Sequence, residues 1–208
     1  MACRYNEVRV SMSLEAEGQQ LRLFVAVDLS EEVREELGRL QDDLRRRDLS
    51  SLRWVRPGGI HLTLKFLGET PVERVPAIGG ALAEVANGAA PFRLALGKLG
   101  TFGNRRGPRV LWLDIAGEAQ RLEELQAMVE RALIEAGFPP EEREYSPHLT
   151  LARVPQPPRP GMAERVSRAL DAVVAPKAEF EVREVLLMRS TLQPGGAVYE
   201  RLAGFPLA

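Results

Sequence analysis

The sequence predicts an α+β, bilobal fold: two pseudo-symmetric lobes, each a mostly antiparallel β-sheet with outer helices, and a cleft between them. Three observations carry this. Strand-like apolar runs and amphipathic helical runs alternate along the 208-residue chain. The order strand, helix, loop, His-bearing strand occurs twice, with 37 residues from Phe24 to His61, 37 from Leu111 to His148 and 87 between the histidines. One repeat of that length points to duplicated lobes and not to a solenoid. With 45% hydrophobic and 27% charged residues, the composition is that of a globular unit. At this length a chain buries roughly 70% of its unfolded surface, enough to hold a fold without a disulfide or metal.

The elements follow in order. Met1 to Gln20 is polar, with Gly and Glu, and reads as a flexible leader ahead of one unit, 21–208. The motif-bearing repeats of that unit span about 21–69 and 109–156. Leu21 to Leu29 is a branched and aromatic apolar run suited to a buried strand. Ser30 is placed as an N-cap for a helix from Glu31 to Arg47, with Val33, Leu37, Leu40 and Leu44 on one face. The turn Arg56 to Gly59 delivers a strand from Ile60 to Leu67. A second helix is expected over Val72 to Ala86, a strand over Phe92 to Leu99 and a loop over Gly100 to Pro108. The pattern then repeats: a strand over Val110 to Ile115, a helix over Ala119 to Ala136 and a strand beginning at His148. A Pro-rich connection, a helix over Met162 to Val174, a strand over Ala178 to Arg189 and a short apolar segment at Tyr199 to Leu202 complete the chain.

Charge and composition exclude several classes. With 28 basic against 29 acidic residues the formal charge is -1, so the chain is not a nonspecific coater of DNA. No stretch approaches the roughly 20 apolar residues of a membrane span. The N-terminus lacks the apolar centre of a secretory signal, so a cytoplasmic location without membrane contact is expected, and the near-neutral net charge allows the monomer that is expected. Of the basic residues only Lys65, Lys98 and Lys177 are lysines. Coding bias accounts for most of the arginines, although guanidinium groups also suit phosphate.

Each of the two histidines is followed by Leu-Thr-Leu. Side chains i and i+2 share one face of a strand, so His61 with Thr63, and His148 with Thr150, each present an imidazole and a hydroxyl together. A lone histidine on an apolar strand is most simply a half-buried structural residue. A matched pair on repeated lobes is better explained by chemistry across a cleft. Two imidazoles whose ordinary pKa lies near 6.5 suit phosphoryl transfer, one as neutral base and its twin as cationic acid. Neither motif has an acidic residue at i+2 or i+4, so no metal site and no cofactor are expected. No Gly-X-Ser-X-Gly elbow or Walker-type loop is present, and Cys3 sits in the leader.

His61-Leu62-Thr63-Leu64 and His148-Leu149-Thr150-Leu151 resemble the paired His-X-Thr-X motifs of the two-histidine (2H) phosphoesterase superfamily. The flanks Arg53 to Val55, Arg109 to Trp112, Tyr145 to Arg153 and Met188 to Tyr199 are similar to its RNA 2′,3′-cyclic phosphodiesterase branch, historically called 2′-5′ RNA ligase. The resemblance covers residues 21–208. It implies metal-independent hydrolysis of RNA 2′,3′-cyclic phosphate ends to a 2′-phosphate, on tRNA-fragment-like or oligoribonucleotide substrates. Attack by a 5′-hydroxyl instead of water would give the ligase reaction. Pseudo-symmetry leaves the two imidazole roles interchangeable on the residues alone; the resemblance implies His148 as general base and His61 as general acid.

Further substrate contacts are expected from Thr63 and Thr150; the resemblance makes Arg153 a phosphate-contacting candidate, reaching the cleft only if its strand ends or bulges there, since strict alternation sends it to the face opposite His148. Lys65 shares the parity of His61 and Thr63. Trp54, Phe66, Phe102 and Tyr199 are candidates for stacking a base, although each taken alone is more simply a core residue. Arg105, with Arg106 and Arg109, is expected to guide the RNA backbone, whereas Arg45 to Arg47 reads as a cationic helix end. The competing readings keep the cleft but change its use: another cyclic nucleotide, a 2′-5′ linked oligonucleotide, or a non-catalytic module that binds RNA ends.

Overall fold

The computed structural model describes residues 18–104, 107–194 and 196–208. Among these residues nine strands form one antiparallel sheet in the order β7-β4-β5-β6-β3-β1-β8-β9, with β2 paired to β6. One half-sheet contains β1 (Gln20–Val27), β3 (Leu62–Pro71), β8 (Glu184–Gln193) and β9 (Gly196–Pro206). The other contains β4 (Phe92–Asn104), β5 (Gly107–Gly117), β6 (His148–Arg153) and β7 (Glu179–Val182). They meet at the centre of the order, where β3 and β6 pair through Leu62 and Leu149. β2 (Arg53–Trp54) pairs the far end of β6.

Helices α1 (Glu31–Leu44), α2 (Val75–Asn87), α3 (Ala119–Glu135) and α4 (Met162–Asp171) bury their apolar stripes in one continuous core with the sheet. The stripe of α1 is Val33, Leu37, Leu40 and Leu44, and that of α3 is Leu122, Leu125, Val129 and Leu133. Ser30 caps α1, its hydroxyl accepting from Val33 N at 3.4 Å. Alternation along β3 and β6 sends Leu62, Leu64, Leu149 and Leu151 into this core and leaves the interleaved His and Thr half-buried on the opposite face.

Several boundaries differ from the sequence expectation. Of the expected leader, residues 1–17 lie outside the described residues, and β1 begins at Gln20, which pairs with Pro71. The expected loop from Gly100 to Pro108 is largely the continuation of β4 and β5, paired from Leu94–Gly117 to Asn104–Gly107. Gly100 is not a turn residue there. A Cβ on it would overlap the ring of Trp112 on the neighbouring strand. The expected strand from Ala178 to Arg189 is two strands, β7 and β8, parted at Arg183 and belonging to different half-sheets. The final segment is a full partner of β8, and together they form a hairpin.

Gly100→Ala should therefore cost about 1–3 kcal/mol through overpacking, read as a lower midpoint in urea unfolding. An unchanged midpoint would show that Trp112 moves aside freely.

Candidate active site

Both histidines stand at the seam of the half-sheets, each immediately before the leucine that makes the Leu62–Leu149 pair. Their surroundings repeat. His61 Nδ1 lies 2.9 Å from Gly59 O, and His148 Nδ1 lies 2.7 Å from Ser146 O, in each case the carbonyl two residues back. A carbonyl only accepts, so Nδ1 carries the proton in both rings. Nε2 is left to work as a base when the ring is neutral and as an acid when it is charged.

The two rings line a cleft of about 600 Å³ that also takes in Thr63, Thr150, Phe66 and Arg153. Among the described residues neither threonine hydroxyl has a hydrogen bond, so both are available to a ligand. Each imidazole meets the edge or face of an aromatic ring. Tyr199 stands edge-on to His61 at 4.7 Å between centroids, with Phe24 against the same ring at 4.6 Å. Phe102 stands edge-on to His148 at 4.9 Å and rests on Trp112.

Two bulges decide which motif neighbours reach the cleft. On β3, Lys65 pairs with Val25 and Thr63 with Ala26, so Leu64 is an extra residue. On β6, Ala152 pairs with Leu111 and Thr150 with Trp112, so Leu151 is the extra residue. Each bulge falls three residues after its histidine and reverses the side-chain parity beyond it. Arg153 is thereby returned to the cleft, as its conditional expectation required. Phe66, its counterpart on β3, is returned in the same way and is 64% exposed.

The same bulge removes Lys65, and the expectation that it binds substrate is corrected. Its ammonium is buried on the helix side, 2.7 Å from Glu130 Oε2 and 3.0 Å from Pro139 O. Trp54 is corrected too. Its indole N–H donates to Leu49 O at 3.1 Å, Arg45 covers its ring, and Val55 lines the cleft instead. Tyr199 and Phe102 line the cleft, and Arg109 is exposed outside its lining. Arg105 and Arg106 lie outside the described residues. Arg45, Arg46 and Arg47 are tied to Asp42 and Asp43.

Sequence reasoning missed Arg22, Phe24 and Ser190, which also line the cleft. A signal for Arg22 existed: it is the one charged residue in the run Leu21 to Val27. Phe24 gave none, because a buried aromatic in a strand reads as core.

The turn before His61 is held by Arg34 of α1, which donates to Pro57 O and Ile60 O at 3.2 Å each and pairs with Asp28. Burial pushes the His61 imidazole down from its ordinary 6.5 to about 4 and outweighs the opposing effects of the Gly59 carbonyl and Asp28. The ring is therefore neutral at pH 7 in the free protein. Burial, followed by Glu123, pushes the Tyr145 phenol up, and its hydroxyl donates to Thr63 O at 3.1 Å.

The family model described as LigT-like phosphoesterase matches the chain twice, over residues 27–112 and 113–199. This chain belongs to that family. The two matches divide the LigT-like chain between its two half-sites, one histidine motif in each. It is 38% identical over 194 residues to an RNA 2′,3′-cyclic phosphodiesterase of Thermus thermophilus, covering 90% of each. It is 34% identical over 189 residues to one of Methanothermobacter thermautotrophicus, covering 90% of this chain and 100% of that protein. A Geobacillus stearothermophilus relative of the same name is 37% identical, and the match spans 56% of that protein's length. Among solved structures, a Thermus thermophilus protein superposes with a TM-score of 0.71 at 37% identity, covering 90% of this chain and 98% of that one. E. coli LigT bound to 3′-AMP superposes with a TM-score of 0.69 at 27% identity, covering 91% and 99%.

In a magnetic-resonance titration of the imidazole protons, His61 should stay neutral down to about pH 4. Phe24→Ala or Tyr199→Ala, by admitting water, should move that midpoint up toward 6.5. Because the folded value lies below the unfolded one, His61 favours folding above pH 6.5 and that contribution is lost as pH falls toward 4. A parent midpoint at or above 6.5 would contradict the burial argument.

Proposed function

We propose that this LigT-like phosphoesterase hydrolyses RNA 2′,3′-cyclic phosphate ends to a 2′-phosphate by general acid-base catalysis between His61 and His148. The observation that carries the reading is the duplicated, tautomer-fixed imidazole pair in one cleft. Relatives bearing the name RNA 2′,3′-cyclic phosphodiesterase, and E. coli LigT with 3′-AMP bound, support the substrate class.

His148 Nε2 takes a proton from water as its oxygen attacks phosphorus. The P–O3′ bond breaks as O3′ receives a proton from His61 Nε2, and the 2′-phosphate remains. Both rings are reset by exchanging one proton with solvent. Thr63 and Thr150 donate to nonbridging oxygens, Arg153 answers the phosphate charge, and Phe66 with Tyr199 offers aromatic surface to the terminal base. Burial disfavours the imidazolium that the acid role of His61 requires, and the anionic phosphate beside it favours that form again, since a nearby negative charge stabilises the charged ring. A 5′-hydroxyl in place of water would join two ends through a 2′-5′ linkage by the same proton movements.

A short RNA ending in a 2′,3′-cyclic phosphate, incubated with the protein and EDTA, should yield the 2′-phosphate alone. His61→Ala or His148→Ala should each lower kcat by about 10²–10⁴-fold, with the fold intact by circular dichroism. Thr63→Ala and Thr150→Ala should be milder. Full activity in either histidine variant would reject the mechanism, and a 3′-phosphate product would reject O3′ as leaving group. The kcat/KM profile should be bell-shaped, because one imidazole must be charged and the other neutral for turnover.

A further inference from the structure

Both bulged leucines lie outside the regular pairing of their strand with its neighbour, and a glutamine from the opposite repeat reaches each carbonyl. Gln41, fully buried on α1, donates through Nε2 to Leu151 O at 3.0 Å and to Val55 O at 2.8 Å. Val55 N donates to the same Leu151 O at 3.0 Å. Gln126, on α3, meets Leu64 O at 3.5 Å. The contacts cross: the helix of the first repeat serves the His148 strand, and the helix of the second serves the His61 strand.

Packing does not explain Gln41. Leu37, Leu40 and Leu44 already supply the apolar face of α1 around it. Its Oε1 is buried with no partner among the described residues, a penalty that an apolar side chain of the same size would not incur. What the amide adds is a tether among α1, β2 and the bulge of β6. That bulge is the feature that returns Arg153 to the cleft.

We propose that Gln41 is a positioning residue for phosphate binding, holding the Leu151 bulge in the register that keeps the Arg153 guanidinium in the cleft. This rests on the reading of Arg153 as a phosphate contact. Without the amide, Leu151 O keeps only its bond from Val55 N and Val55 O loses its Gln41 donor; Ala152 and Arg153 stay paired to β2 and β5, so what loosens is the bulge at Leu151 and with it the aim of the Arg153 side chain, not the strand. His148, three positions before the bulged leucine, keeps its own anchor at Ser146 O. The effect is therefore on binding more than on proton transfer.

The test is a double-mutant cycle on the full chain with Gln41→Met and Arg153→Ala. Binding of a short oligoribonucleotide ending in a 2′-phosphate is read by calorimetry, and KM and kcat are read on its cyclic-phosphate form. Gln41→Met should weaken binding about five- to tenfold, the size of one lost hydrogen bond. KM should rise by the same order, with kcat and the pH limbs nearly unchanged. The double variant should bind no more weakly than Arg153→Ala alone, because both act through one group. A Gln41→Met protein that binds like the parent, or losses that add fully in the double variant, would overturn the proposal. Wild-type affinity in Arg153→Ala would overturn both the Arg153 reading and this inference. Absence of wild-type turnover would instead overturn the reaction proposed above, and the binding cycle would still decide the role of Gln41. If Gln41→Met does not fold, Gln41→Asn, which keeps the amide one methylene short, takes its place in the cycle.

Discussion

The site depends on one short strand pairing. Leu62 and Leu149 are the register partners between β3 and β6, both fully buried, and through them two four-stranded halves become one sheet. Because the two leucines occupy the same position in their motifs, the pairing sets one motif against the other across a local pseudo-twofold. The residues on either side of each leucine, His61 and Thr63, His148 and Thr150, then fall on the face away from the helices. No long loop is required to bring the imidazoles together. The same backbone step that joins the lobes also places their chemistry.

So short a junction is reinforced from outside the seam. Lys65 on β3 is paired with Glu130 on α3, Arg74 donates to Ala136 O at 2.6 Å, and Tyr145 reaches across to Thr63 O. In the other direction β2 pairs with Ala152 and Arg153, and α1 reaches Leu151. Each repeat thus braces the strand that carries the other's histidine. Buried polar contacts of this kind specify an arrangement more than they add stability, because much of their energy is offset by desolvation.

The repeat, the paired motifs and the amphipathic faces of α1 and α3 were legible, because strand and helix periodicities and a fixed spacing are properties of sequence alone. The fate of residues beyond the threonines was not. Strict alternation sends Lys65 to the cleft and Arg153 away from it, and the bulges at Leu64 and Leu151 invert both. Nothing local marks those leucines as extra residues; the pairing with β1 and β5 selects them. Trp54 was illegible for a related reason, since its partners Leu49 and Arg45 come from the turn after α1. The glycines of β4 look like a loop until Trp112 is seen lying over Gly100.

A cleft whose two walls were true copies would accept an elongated ligand equally well in either direction. The positions five residues after each histidine break that equivalence, with an apolar ring at Phe66 and a fixed cation at Arg153. A ligand with a flat base at one end and a phosphate at the other can satisfy both only one way round. Duplication thus supplied two imidazoles anchored alike, and the divergence of Phe66 from Arg153 gives the groove a heading. Under that heading, two imidazoles held by the same local turn meet different ends of whatever occupies the groove.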